Sequence, residues 1–340
     1  MLQLALIGCG EHASLFHAPP LGKIARERPN DVQLVAAVDL NIARARALCN
    51  DFGFKKAYAD YRQMLAQEKP DAVVLVMPVP LIASVSEEFL SKGIPCVVEK
   101  PIGANITEAR RLVEVAGRTG TPHMVSVNRR FLPPLNKAKE WVSQQGKLRF
   151  LRANMLRYNR TEPGFVWETG VHLVDAIRHV AGDIEDLSLR TSGGEARSQK
   201  PEARRGEIEN QKSKVENQFS IVWYAASLQF KSGAQGSFEI QTSTGIAEET
   251  YDFLGDNFRA KLVTQQNGQS SLQCWKNREL VHEETTTSTD PAFITRGEYA
   301  ETTEFINALL AKRAPRPSLA DILPSAEICH RLLIRDKVTK

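Results

Sequence analysis

The sequence predicts an α/β protein in two parts: an N-terminal doubly wound Rossmann domain, and a C-terminal α+β domain with a large, mainly antiparallel sheet. Three observations carry this reading. The apolar run Leu4-Ala5-Leu6-Ile7 stops at Gly8 and Gly10, residues whose freedom of backbone angle and lack of side chain suit a tight turn that a ligand approaches closely. From Leu2 to Val125, apolar strand-like runs alternate with amphipathic stretches, as βαβ units with a parallel sheet require. Beyond Arg130 the texture changes to strands joined by hairpin signals. The expected division is a dinucleotide-binding domain over 1–125 and a substrate-binding and oligomerisation domain over 126–340, whose last helix packs back on the first.

Taken in order, the first-domain strands are expected at Leu2 to Ile7, Val32 to Val38, Ala72 to Val76, Cys96 to Val98 and His123 to Val127. Between them, helical spacing marks Asn41 to Phe52, Tyr61 to Glu68, Ile82 to Lys92 and Thr107 to Thr119, with Gly53, Gly93 and Gly120 placed as stops. Right-handed crossovers then produce a doubly wound sheet. The second domain reads as a helix from Pro134 to Gln145, a strand from Leu148 to Tyr158 and a helix from Val171 to Ala181. Further strands are expected at Phe219 to Gln229, Gln235 to Thr242, Tyr251 to Leu254, Phe258 to Gln265 and Ser271 to Trp275, with Asn267-Gly268 as a hairpin turn. The segment 191–217 is rich in charge and holds only Ile208 and Val215 as large apolar residues, so it is expected to be a mobile insertion. Helices at Tyr299 to Lys312 and Leu319 to Arg335 flank the break Pro315-Arg316-Pro317.

Composition narrows the function classes. A chain of 340 residues exceeds what one core usually serves, and 42% hydrophobic with 25% charged residues is the balance of a globular protein. A net charge of +4 with the cations dispersed among 40 acids offers no stripe for a nucleic-acid backbone, so nucleic acid is not an expected partner. No apolar stretch approaches the roughly 18 to 20 residues that span a bilayer, and the first strand begins too early for a signal peptide; the expectation is a cytoplasmic protein with no membrane contact. Cys9, Cys49, Cys96, Cys274 and Cys329 are odd in number and widely spaced, which suits reduced thiols better than a disulfide framework or a zinc site. No metal-ligand cluster is evident, and none is expected.

The chemistry concentrates at strand ends. Gly8 and Gly10 sit between a strand and a helix starting near Glu11, with Ala13 as the small third residue of a dinucleotide fingerprint. A pyrophosphate can then rest on backbone N–H groups at the helix start, which makes Gly8, Cys9, Gly10, Glu11 and His12 the candidate coenzyme contacts. Asp39, ending the second strand, lies somewhat beyond the ~20 residues expected for a ribose-binding acid. Its carboxylate would repel a 2′-phosphate and favour NAD over NADP, although Arg44 and Arg46 lie nearby. Cys96-Val97-Val98-Glu99-Lys100-Pro101 delivers a charged pair to the crevice where α/β sheets bind ligands. A lysine beside a nicotinamide ring can hydrogen-bond a substrate hydroxyl and stabilise the alkoxide that develops as hydride leaves. Pro78, Glu99 and Lys100 complete the coenzyme-side candidates.

Together, Ile7-Gly8-Cys9-Gly10 with His17, Val38-Asp39, Glu99-Lys100-Pro101, Asn128-Arg129-Arg130-Phe131 and Gly170-Val171-His172-Leu173-Val174-Asp175 make a pattern over nearly the whole chain that resembles the Gfo/Idh/MocA oxidoreductases. The resemblance implies that Lys100 is catalytic. It further implies an aspartate and a histidine four residues apart, matched to Asp175 and His179, a spacing that puts both on one helix face; an imidazole there can remove the hydroxyl proton while a carboxylate supports it. Arg129, Arg160, Trp167 and His172, with Asp175, His179 and Lys100, are the expected substrate contacts, and Tyr158 and Asn159 come from the same segment. Where the family shows Thr-Pro-Asn and a histidine, this chain reads Met77-Pro78-Val79-Pro80-Leu81-Ile82. The expected function is an NAD-dependent dehydrogenase acting on a secondary alcohol of a polyol, sugar or sugar derivative, assembled as a homodimer or homotetramer through the C-terminal sheet. Two alternatives remain open: an NAD-using glycosidase or epimerase of the same fold, and a catalytically silent NAD or sugar-nucleotide binding protein.

Overall fold

The computed structural model describes residues 1–160, 162–195, 219–286 and 289–336. Six parallel strands, β1 (Leu2–Ile7), β2 (Val32–Val38), β3 (Lys56–Tyr58), β4 (Ala72–Leu75), β5 (Cys96–Glu99) and β6 (His123–Ser126), form one sheet in the order β3-β2-β1-β4-β5-β6. Its connections are the helices α1 (Ala18–Glu27), α2 (Ile42–Phe52), α3 (Tyr61–Glu68), α4 (Val79–Ser91) and α5 (Ile106–Thr119). The order turns back between β1 and β4, which opens a crevice at the carboxyl ends of the strands. Alternate residues of β1 divide between two cores. Leu4 and Leu6 pack with Leu21, Ile24, Leu48 and Phe305, and Ala5 and Ile7 with Phe89 and Leu112, so the strand is apolar on both faces, as helix-covered parallel sheets require.

Local chemistry sets the helix ends. The Asn41 side chain accepts from the Ala43 N–H and Gly53 ends α2 at φ +86°. Asn105 accepts from the Glu108 N–H at the start of α5 while Glu108 returns to the Ala104 N–H, a reciprocal cap. Helix α4 begins at Val79, earlier than its apolar spacing suggests, because Pro78 and Pro80 suit a first helical turn that needs no donors.

A 3₁₀ turn (Asn128–Phe131) leads to α6 (Pro133–Gln145), β7 (Leu148–Leu156), a π-helical turn (Val166–Gly170) and α7 (Val171–Ala181). Then come β8 (Ile184–Glu195), β9 (Phe219–Phe230), β10 (Gln235–Gln241), β11 (Glu248–Gly255), β12 (Phe258–Gln265), β13 (Ser270–Lys276), β14 (Glu279–Thr286), and the helices α8 (Ala292–Thr295), α9 (Glu298–Leu310) and α10 (Leu319–Asp336). The eight strands form a second sheet in the order β14-β13-β12-β11-β7-β10-β9-β8, antiparallel except where β7 and β10 run together. Strand β8 continues through Thr191 to Glu195 in register with β9, which corrects the expected insertion at its start; the rest of that segment, 196–217, lies outside the described residues. Helix α10 packs on both α5 and α7, joining the two sheets. Among the described residues no helix is long and apolar enough to cross a membrane.

Candidate active site

The glycine turn is clamped from both sides. Gly8 takes φ +90°, and a Cβ there would stand 1.9 Å from the Val76 carbonyl oxygen. Its N–H donates to the Val38 carbonyl at 2.8 Å. Gly10 has no atom within 4 Å of where a Cβ would stand, so the turn presents bare backbone to the crevice. Asp39 sits beside it, its Oδ2 accepting the Cys9 N–H at 2.8 Å and its Oδ1 the Asn41 N–H at 2.8 Å. Cys9 itself points inward, its Sγ donating to the Val38 carbonyl at 3.3 Å, and burial together with the Asp39 charge pushes the thiol up to about 12; its contribution to a ligand is backbone. Glu11 and His12 are exposed at the helix start, and Pro78 is exposed at the start of α4. An open glycine, free first-turn N–H groups and a carboxylate at the end of β2 fit a dinucleotide.

Strand β5 ends on Glu99 and Lys100. Glu99 is buried, and its Oε1 meets His17 Nε2 at 2.6 Å and His12 Nε2 at 3.3 Å. Burial works to raise its pKa, but the two imidazoles prevail and hold the carboxyl well below the usual range. Lys100 donates from Nζ to the Glu168 carbonyl at 3.1 Å. Burial lowers its ammonium pKa, the Glu99 carboxylate opposes that, and Arg129 adds to the lowering. His172, at the start of α7, is buried, and its Nδ1 has no hydrogen-bond partner among the described residues. Burial, and then the charges of Arg129 and Lys100, press its pKa well below the ordinary histidine value. The imidazole is therefore neutral at neutral pH and able to accept a proton.

A buried ion cluster supports these groups. Glu249 of β11 accepts from Arg129 at 2.7 Å, from Arg157, and from the Tyr251 hydroxyl at 2.9 Å. The two guanidiniums outweigh its burial and keep it ionised. Arg160 turns aside, to Glu162 at 2.5 Å and Thr169 at 3.3 Å. Trp167 is buried and donates from Nε1 to the Gly103 carbonyl at 2.9 Å, tying the π-helical turn to the loop after Lys100. Tyr158 is exposed, and Asn159 takes a left-handed φ of +50°.

The expected Asp175 and His179 pair makes its contacts away from Lys100. Asp175 is fully buried, taking two hydrogen bonds from Arg130 at 2.7 and 2.8 Å and one from Ser325 at 3.0 Å. His179 Nε2 lies 3.2 Å from Asn136 Oδ1 and 3.4 Å from Lys139 Nζ, and burial with the Lys139 and Arg130 charges lowers its pKa to about 4. Their contacts lead to α6 and α10, whereas the groups acting on Lys100 are Glu99, Arg129, Glu168 and Arg160. The i,i+4 spacing also fits Glu168 and His172. Glu168, which the sequence reading did not single out, meets Lys100 through its backbone carbonyl, a contact that no side-chain pattern signals.

The fold also gathers a potential ligand set that sequence spacing conceals, because its members lie far apart in the chain. His12, His17 and Glu99 offer three ligand atoms within 4.8 Å of one another. The hydrogen bonds from both imidazoles to one oxygen, and the ammonium of Lys100 next in the chain, fit a hydrogen-bonded support for Glu99 better than a dication site.

Residues 2–128 match the model of an oxidoreductase family with an NAD-binding Rossmann fold, Gfo/Idh/MocA. Over 200 residues the chain is 28% identical to a D-apiose dehydrogenase of Paraburkholderia graminis, covering 55% of this chain and 52% of that protein. Over 188 residues it is 26% identical to an inositol 2-dehydrogenase of Corynebacterium glutamicum, covering 53% and 54%. The matches thus span about half the length of these relatives. The fold is that of a Gfo/Idh/MocA family oxidoreductase from Vibrio cholerae, with a TM-score of 0.79 at 22% identity over 100% of both chains.

Proposed function

From the premise that the chain belongs to the Gfo/Idh/MocA oxidoreductases, matched over residues 2–128, we propose that it is an NAD-dependent dehydrogenase of a secondary alcohol on a sugar or polyol. The observation that carries this reading is a half-buried Lys100 at the carboxyl end of the parallel sheet whose charge acts on the buried, neutral His172 of α7. Sugar and inositol dehydrogenases among the relatives favour the substrate class.

Lys100 donates a hydrogen bond to the hydroxyl oxygen and steadies the negative charge that grows on it. His172 takes the hydroxyl proton. Glu99, held by His12 and His17, fixes the strand end from which Lys100 projects, and Arg129 with Glu249 lines the adjoining wall. Bound NAD supplies the hydride acceptor. The backbone of Gly8 to Gly10 would hold its phosphates and Asp39 its adenosine ribose, where a second carboxylate-facing phosphate would be repelled; this favours NAD over NADP. Assembly through the second sheet, as homodimer or homotetramer, belongs to the same reading.

The test mixes purified protein and NAD with inositols, aldoses, amino sugars and uronates, and follows nicotinamide absorbance. NADH should accumulate with at least one of them, and Lys100→Ala should abolish that activity while binding NAD normally. Bond cleavage or epimerisation without net NADH would favour the recycling alternative. No turnover across the panel, with NAD still bound, would leave only a binding protein.

A further inference from the structure

Beside the Lys100 site lies a cavity of about 280 Å³ lined by Phe16 in the π-helical turn before α1 (Ala13–His17), the Asn128–Phe131 turn, the β7, β11 and β12–β13 ends and α8. Its wall carries three guanidiniums, of Arg129, Arg157 and Arg296, against two carboxylates, of Glu248 and Glu249. Arg129 and Arg157 share the single Glu249 carboxylate. Arg296 is held more loosely. Its guanidinium lies 4.6 Å over the Phe16 ring, and its polar contacts, to Glu298 and to the Gln266 carbonyl, are both long at 3.4 Å. The backbone behind it is fixed, since Asn128 Nδ2 donates to the Arg296 carbonyl at 3.0 Å. Burial lowers the guanidinium pKa in spite of Glu298, the sign of a cation short of counter-charge. Arg129 links the cavity to the chemistry, because its charge acts on both Lys100 and His172.

We propose that this cavity seats an anionic group, carboxylate or phosphate, of the molecule oxidised at Lys100, with Arg296 as its principal partner and Arg129 and Arg157 completing the positive wall. The inference deepens the dehydrogenase reading and rests on it for the role of Lys100. A planar guanidinium presents paired donors that match an oxyanion, and out of bulk water such a charged hydrogen bond is about twice as strong as a neutral one. Glu249 fixes Arg129 and Arg157 in place with a single carboxylate, which cannot neutralise both. A neutral polyol would leave Arg296 with only its long contact to Glu298 as counter-charge, so the geometry selects acids over their neutral parents.

The test measures binding by calorimetry of glucose, glucuronate and glucose 6-phosphate to the NAD-loaded protein at low ionic strength, together with NADH formation from each. The expected result is that one of the two anions binds about tenfold or more tightly than glucose, and the better anion identifies which oxyanion the wall prefers. Arg296→Gln should bring that anion to within about twofold of glucose, and Arg296→Lys should restore part of the difference. Equal binding of all three, millimolar silence from both anions, or a preference that survives Arg296→Gln would each overturn the anion seat. The two readings fail separately. NADH formation from neutral sugars without any anion preference removes the seat and keeps the dehydrogenase. Arg296-dependent anion binding with no NADH from any compound keeps the seat and removes the dehydrogenase.

Discussion

In the proposed reaction Lys100 and His172 need opposite protonation states, and burial helps only one of them. It keeps the imidazole unprotonated, as a base must be, while lowering the pKa of an ammonium that must stay charged to donate. The pH profile follows from these signs. An ordinary histidine base would already be half protonated at about pH 6.5. With His172 depressed, kcat/KM should hold through that point and fall only in more acid solution, while the alkaline limb should set in below the ordinary lysine value of about 10.4. A rate profile of the wild type that halves at pH 6.5 would remove His172 as the base. His172→Gln should lower kcat by about 10²–10⁴-fold with NAD affinity unchanged by fluorescence titration. His179 makes the contrasting case. Its pKa near 4 lies below the unfolded value of about 6.5. The unfolded chain therefore binds the extra proton first, and stability should be lost as pH falls from about 6.5 towards 4. His179→Gln should flatten that part of the stability curve in urea titrations and leave the rate profile in place.

At the scale of elements, the glycine turn shows why the first sheet could be read from the chain. A strand that must end under a foreign phosphate needs Gly8, and its replacement by Ala would place a methyl 1.9 Å from the Val76 carbonyl at a φ of +90°. Gly8→Ala should cost at least about 1–3 kcal/mol for the strained angle alone, seen as a fall in the urea midpoint together with loss of NAD binding. Apolar runs and glycine stops fix β1, β2, β4, β5 and β6 because each is buried on both faces, and burial writes itself into composition. Strand β3 has three residues and an exposed Lys56, and edge strand β14 reads Glu279-Leu280-Val281-His282-Glu283-Glu284 with its side chains largely exposed. Neither carries an apolar period, so neither was legible. Helix α7 was legible as a helix but not in its contacts. Glu168/His172 and Asp175/His179 have the same spacing, and what separates them is their surroundings: Lys100 donates to the Glu168 backbone carbonyl and its charge acts on His172, whereas Asp175 and His179 meet the Asn128–Phe131 turn, α6 and α10. Those contacts come from residues far apart in the chain, which no local pattern records.

At the scale of the molecule, one network fastens the two sheets. Arg130 in the turn between them binds Asp175 of α7, Ser325 of α10 binds the same carboxylate, and α10 reaches back to α5, where Arg110 meets Glu327 at 2.9 Å. The surface pair adds little, since exposed ion pairs contribute about 0–1 kcal/mol. The buried one matters differently. Removing one partner of a buried pair leaves an uncompensated charge, at a cost of about 3–5 kcal/mol. Asp175→Asn strands Arg130 while keeping the side chain's shape. It should therefore lower the melting temperature, and because α10 and α7 share that carboxylate with the linker, the whole molecule should still melt in one calorimetric transition rather than two. Arg130→Met in the Asp175→Asn background should recover part of the loss, because the stranded charge is then gone. The same variant decides what Asp175 does. If it acts only as a fastening, kcat measured on the folded fraction at low temperature stays within a few-fold of wild type; a loss of a hundredfold or more with the fold intact would return Asp175 to the chemistry and displace His172 from the role given to it here.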